Sequence, residues 1–313
     1  MFYNKVSFKM KFLIIGIGNI GLRHVQALSN LSENNLEFYL FDKNISNEER
    51  FNEPKRNIIF KKIKSLNELT SINFELTIIS TTTTDRVKIL SNINKSINSK
   101  YIIIEKPISQ SVYELQDLRK LKSDKIFVNF PRRYCDWHKK IKKKLNKDYI
   151  SKNFRIEVLG GEIGLACNAC HFVDLINFIT NKLPYKVIID KLGNWHKSKR
   201  DGFFEVEGSL KIDFEDNITL LIKSLNKKKN LEINFYDSKD NQILSIDYVN
   251  GFAKFSDGKI IEGRIKFQSE STHTFFNLIK KNDKNLCKLD KAITLYEPLI
   301  DGFIKHWNNK FKN

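Results

Sequence analysis

A chain of 313 residues is too long for one ordinary core and suits two domains. Apolar residues make up 41% of it, with 24 Phe and 10 Tyr, so a sizeable core can be buried, yet the longest apolar runs, Phe12–Ile15 and Tyr101–Ile104, are far too short to span a bilayer. The net charge of +18 comes from lysines spread along the chain, with runs only at Lys139–Lys140, Lys142–Lys144 and Lys227–Lys229 and no interleaved aromatics; it is read as solvated faces that can attract an anionic small molecule, so neither nucleic acid nor membrane is expected as a partner.

The opening MFYNKVSFKMKFLIIGIG sets basic residues before an apolar stretch, as a signal peptide does. It lacks a small-residue cleavage site and runs straight into a glycine pattern, so a cytoplasmic protein is expected, with the nine residues before Met10 read as an extension. Lys11–Gly16 is a short strand-like run, followed by a helical pattern from about Ile20 to Leu31 and a second strand at Leu36–Phe41. Leu76–Ser80 and Tyr101–Glu105 are further strands, separated by a helical stretch through Val87, Leu90 and Ile97. A helix fits Val112–Leu121 and a strand Ile126–Phe130. This alternation implies right-handed crossovers and a parallel sheet. After a helical segment at about His171–Thr180, the chain from Tyr185 to Phe267 alternates polar and apolar, as in Phe203–Phe214, Thr219–Lys223 and Leu231–Tyr236, which predicts a largely antiparallel sheet. Helix returns at Thr274–Lys280 and Ala292–Trp307. The predicted class is α/β: a Rossmann doubly wound parallel sheet over 10–130, then an α+β domain with a large, mostly antiparallel open sheet over 131–313, whose last helices can pack back on the first domain. Exposed sheet edges suggest a homodimer or homotetramer.

The strongest chemical signal is Gly16–Ile17–Gly18–Asn19–Ile20–Gly21, a GxGxxG between the first strand and first helix. In that context Gly16 permits a tight turn, Gly18 lets a pyrophosphate approach the backbone, and Gly21 lets helix and strand pack closely. The helix N-terminus, at Asn19 and Ile20, offers N–H groups and the positive dipole end. Asp42 stands at the end of the second strand, where a carboxylate accepts from the adenosine ribose and repels a 2′-phosphate, so NAD is expected before NADP, with Lys43 beside it tempering that preference. Glu105–Lys106–Pro107 closes another strand at the sheet edge where ligands bind; by position alone Lys106 is either a surface lysine or a neighbour of the nicotinamide.

Taken together, GIGNIGLRH, Asp42, IIIEKPIS, NFPRRY and GG…CHFVDLINF resemble the glucose-fructose oxidoreductase and inositol dehydrogenase family, Gfo/Idh/MocA, over about Met10 to Thr180. The resemblance implies oxidation or reduction of a hydroxyl or carbonyl on a sugar, sugar nucleotide or polyol, with NAD(P). It makes Lys106 the catalytic lysine and His171 the general acid/base, while Arg133 either contacts substrate or braces a domain junction. The chain also departs from the family pattern. Many members carry Asp four residues before the histidine, where Cys167 stands here; Asn168 and Asp174 are candidates to orient a substrate hydroxyl, Asp174 alternatively facing the core. The loop that often holds Pro and then His reads TTTTDRV, which leaves Thr81 and Thr82 as cofactor-loop residues and puts Arg86 at the His position.

Cys167–Asn168–Ala169–Cys170–His171 is literally C-x-x-C-H, but a lone match in this setting is read as two small residues before the histidine, and no haem or metal is expected. Arg23 and His24 are read as stabilising the first helix, His138 as solvated on a lysine-rich helix, and Trp195–His196 as a loop. Two rival functions stay in view: a catalytically inactive NAD-binding sensor or assembly protein, suggested by Cys167, and a nucleic-acid-binding protein, suggested by charge alone.

Overall fold

The computed structural model describes residues 9–32, 35–43, 57–121, 124–149 and 153–311; of the expected N-terminal extension, only Lys9 falls within them. The first half forms β1 (Met10–Ile15), α1 (Asn19–Leu28), β2 (Leu36–Phe41), β3 (Ile58–Lys62), β4 (Asn73–Ile79), α2 (Thr83–Ser96), β5 (Asn98–Ile104), α3 (Val112–Arg119) and β6 (Ile126–Val128). Its six strands pair only in parallel, in the order β3-β2-β1-β4-β5-β6. The order reverses between β1 and β4, and the crevice at the strands' carboxyl ends there is the place a doubly wound sheet offers a ligand. Parallel strands are covered on both faces, which is why Phe12–Ile15 and Ile102–Ile104 are fully buried runs rather than alternating ones. β3 is an edge strand with Ile59 exposed, and that mixed Ile-Ile-Phe-Lys-Lys pattern carries neither a continuous nor an alternating signal.

The second half continues with α4 (Pro131–Tyr134), α5 (Asp136–Asp148), β7 (Arg155–Gly161), α6 (Leu165–Thr180), β8 (Pro184–Lys197), β9 (Phe204–Phe214), β10 (Ile218–Leu225), β11 (Glu232–Tyr236), β12 (Gln242–Asp247), β13 (Phe252–Phe255) and β14 (Ile260–Glu262). Eight strands make one sheet in the order β14-β13-β12-β11-β7-β10-β9-β8. Only β7 and β10 run parallel; the other neighbours are antiparallel. β10 alternates buried and half-buried residues along its length, and α6 packs on β9 and β10. α6 begins after Gly164, at φ 69°, and ends at Asn181, at φ 59°. Both left-handed residues punctuate a helix longer than the predicted His171–Thr180, because Leu165–Cys170 is short of the long apolar side chains that signal a helical face.

Two last helices follow, α7 (Gln268–Lys280) and α8 (Leu289–Phe311). The chain divides into two compact units: 1–109, 116–129 and 266–290 form the first, and 110–115, 130–265 and 291–313 the second. α7 therefore belongs to the Rossmann unit. It lies along α1, and Phe276 packs edge-on against Phe12 of β1 and Tyr101 of β5 at ring separations of 5.8 and 6.4 Å. Beside it, Val128 donates to the Cys287 carbonyl at 2.9 Å, continuing the pairing beyond β6. No helix among the described residues is long and apolar enough to cross a membrane.

Two local readings need correction. His138 is not solvated but fully buried, because α5 turns Trp137, His138, Ile141 and Leu145 inward as one helical face and leaves its lysines outside. Trp195–His196 is not a loop but the end of β8, where the Trp195 ring packs on Phe303 and Trp307 of α8 at 6.0 and 5.2 Å.

Candidate functional site

In the first unit the glycine turn is tied down from both sides. Gly16 N–H donates to Phe41 O at the end of β2, at 2.9 Å, and Ser80 Oγ donates to Gly16 O at 2.7 Å from the end of β4. Gly16 sits at φ 88°, where a Cβ would also stand 2.7 Å from the Thr81 amide nitrogen, so both torsion and space require glycine. At Gly21 a Cβ would land on the Gly16 carbonyl, which fixes how closely α1 approaches the turn. Gly18 is the opposite case: a Cβ there would meet nothing within 4 Å, and Asn19 and Ile20 beside it are exposed. Asp42 accepts from the Ile17 amide through Oδ2 at 2.5 Å, which sets the carboxylate against the turn. The Thr81 hydroxyl is buried without a hydrogen-bond partner, and Thr82 is exposed as the N-cap of α2. An open backbone patch at a helix N-terminus, a carboxylate beside it and an unpartnered buried hydroxyl fit a dinucleotide.

Next to Lys106 in the chain, Glu105 enters a buried polar network. Glu105 Oε1 meets His24 Nε2 at 3.0 Å and also accepts from Asn129 Nδ2; Asn129 Nδ2 reaches Gln268 Oε1 at 2.8 Å; and His24 Nδ1 meets Thr272 Oγ1 at 2.9 Å. Burial pushes the Glu105 carboxyl up, but the hydrogen bond and charge of His24, the Asn129 amide and the Arg86 charge outweigh it and hold it below the ordinary Glu value. Arg86, 3% exposed, donates to the Glu105 carbonyl at 2.7 Å and also to the carbonyls of Pro107 and Thr81. Lys106, half-buried, is thus carried on a segment pinned from α1, α2 and α7; its peptide bond to Pro107 is cis.

In the second unit His171 projects half-exposed from α6, its ring edge-on to Phe130 at 5.9 Å. Asn168, one turn earlier, donates through Nδ2 to Ile163 O at 2.7 Å and so holds the Gly160–Gly164 loop to the helix start. Asp174 is 1% exposed: its Oδ1 accepts from Arg133 Nε at 2.6 Å, while Arg133 Nη2 donates to Asn177 Oδ1 at 2.8 Å. Arg133 and Asp174 therefore face the interior and tie α4 to α6, the core-facing alternative for Asp174, rather than standing open to a substrate. Cys167 and Cys170 are free thiols, the second donating to the Cys167 carbonyl at 3.4 Å.

Residues 10–129 match the profile of a family described as an oxidoreductase family with an NAD-binding Rossmann fold, GFO_IDH_MocA. The matched segment takes in the parallel sheet from β1 to β6 and its glycine turn. No curated protein matches the chain by sequence. Among solved structures it is similar to the UDP-N-acetylglucosamine 3-dehydrogenase GnnA of Acidithiobacillus ferrooxidans, at 13% identity over 95% of this chain and 96% of that one, with a TM-score of 0.69. It is also similar to a myo-inositol dehydrogenase of Corynebacterium glutamicum, at 13% identity over 93% and 94%, TM-score 0.67. A third is an oxidoreductase of Agrobacterium radiobacter in complex with NAD+, L-tartaric acid and magnesium, at 12% identity over 94% and 95%, TM-score 0.67. At these identities the likeness is one of fold, and it covers more than nine-tenths of this chain.

Within that family frame, Gly16, Gly18, Asn19, Ile20, Gly21, Asp42, Thr81, Glu105 and Lys106 lie along one edge of the first unit's sheet or on the loops that leave it, and Arg133, Asn168, His171 and Asp174 lie on or against α6 in the second. Sequence reasoning missed the residues that hold Lys106: His24, Arg86, Asn129, Gln268 and Thr272. His24 does more than stabilise α1, and Arg86 reaches three carbonyls at once.

Proposed function

We propose that the protein is an NAD-dependent dehydrogenase acting on a CH–OH group of a sugar, sugar nucleotide or polyol, working in the cytoplasm as a homodimer or homotetramer. The observation that carries the reading is the Gfo/Idh/MocA glycine turn, open at Gly18, next to a Lys106 segment pinned by Arg86 and the Glu105 network. Bound NAD supplies the hydride acceptor. The N–H groups at the start of α1 hold its pyrophosphate, and Asp42 accepts from the adenosine ribose hydroxyls. Thr81 and Thr82 line the cofactor loop through hydroxyl and backbone. His171 removes the substrate hydroxyl proton, an imidazole being matched to that task near neutral pH. The Lys106 ammonium would stabilise a developing alkoxide. Asn168 steadies the first turns of α6, and the Arg133–Asp174 pair holds that helix from its inner face.

The test follows NADH absorbance with UDP-N-acetylglucosamine, myo-inositol, tartrate, free sugars and other polyols as candidate substrates. Lys106→Ala and His171→Ala are expected to lower turnover at least about a hundredfold while NAD+ still binds, within the range of lost acid–base catalysis. Binding of NAD+ with no turnover on any class would favour the inactive sensor, for which Cys167 at the family's usual Asp position is the motivating residue.

A further inference from the structure

The adenosine end of the first unit carries a charge arrangement that the glycine turn does not account for. Asp42, which closes β2, keeps its carboxylate on the Ile17 amide. The next residue, Lys43, extends an ammonium that donates to Asp85 Oδ2 at 2.8 Å, in the first turn of α2. This hydrogen bond and charge hold the Asp85 carboxyl below its ordinary value. The ammonium that follows Asp42 in the chain is therefore paired with a second carboxylate, Asp85.

An ammonium directly after the ribose-binding acid is a group suited to a 2′-phosphate, as arginines at this place are in NADP-binding sheets. Here that group is already engaged. We propose that Asp85 is a cofactor-specificity residue: by holding Lys43 it denies a 2′-phosphate its counter-charge, so the site takes NAD and discriminates against NADP. An exposed ion pair is individually weak, so the discrimination comes from net charge as much as from occupancy. Asp42 and Asp85 against Lys43 leave an excess negative charge facing a group that carries nearly two more. The inference rests on the NAD reading given above.

The experiment titrates NAD+ and NADP+ against intrinsic tryptophan fluorescence for the full chain and for Asp85→Asn, Asp85→Ser, Lys43→Ala and Lys43→Ala/Asp85→Asn, with urea midpoints to check folding. Removing one exposed charge near a phosphate is expected to raise NADP+ affinity about tenfold at low ionic strength, and less at high salt, for both Asp85 variants. NAD+ affinity should stay within about twofold on the same grounds, since NAD lacks that phosphate. Lys43→Ala alone should lower NADP+ affinity further while leaving NAD+ within about twofold, and in the double variant the gain for NADP+ should vanish. Unchanged NADP+ affinity in both Asp85 variants would overturn the proposal, as would a gain that survives loss of Lys43. Equal affinity of the unaltered chain for both dinucleotides would overturn it alone; a chain that binds neither would overturn the cofactor reading and this inference together.

Discussion

Arg86 illustrates how one side chain can place another. Its guanidinium meets the carbonyls of Thr81, Glu105 and Pro107, on two different loops, and a fork of five donors can do this where an imidazole offers two. Its partners lie within a few tens of residues but share no motif with it, and His24 finds Thr272 at a sequence distance of 248. Spacing rules see neighbours along the chain, so these residues were opaque while GxGxxG and Glu-Lys-Pro were plain. His138 gives a measurable case of the same kind. Burial, aided by the Arg132 charge, lowers its pKa from 6.5 to about 3, and its Nε2 meets Tyr248 OH at 2.8 Å. The folded state keeps it neutral, while the unfolded chain takes up a proton below about pH 6.5. Its contribution to stability is complete above that pH and lost as pH falls toward 3, at up to about 1.4 kcal/mol per pH unit. Urea midpoints at pH 4, 5 and 7 should show a shallower acid slope in His138→Gln; an unchanged slope would place the titration elsewhere.

At the scale of elements, the glycine turn and α1 separate folding from binding. Gly21→Ala must push α1 off the Gly16 carbonyl and should destabilise the protein by about 1–3 kcal/mol, the usual range for overpacking. Gly18, at φ −70° with open space around it, accepts alanine without strain. Gly18→Ala should therefore keep the urea midpoint while weakening NAD+ several-fold, and a fluorescence titration of both variants distinguishes the two effects. The strands that could be read in the sequence were those with one clear regime: runs of buried residues in β1, β2, β4, β5 and β6, or alternation in β9, β10 and β11. β3, on an edge, fits neither; β7 alternates between half-buried and buried residues, but its last three, Leu159–Gly161, break the polar–apolar pattern in the sequence. β7 is also the strand that sets the second sheet's one parallel pairing, with β10, so that feature was hidden with it.

For the whole molecule, the decisive feature is that the first unit is discontinuous. Phe276, Thr272 and Gln268 complete the packing of Phe12 and Tyr101 and the partners of His24 and Asn129. A chain ending at Ile265 should lose the NAD+-induced fluorescence change and the near-ultraviolet circular dichroism of that unit; native binding by the truncated chain would show α7 to be dispensable. The sequence allowed the last helices to pack back on the first domain but did not tell α7, which does, from α8, which falls in the second unit, because an amphipathic face records that it is buried and not against what. During synthesis, a unit that begins emerging from the ribosome first would then be among the last to mature. Phe12 of β1 and Tyr101 of β5 would wait without their cover until the segment 266–290 has been translated, so chaperone dependence should concentrate in the amino-terminal half.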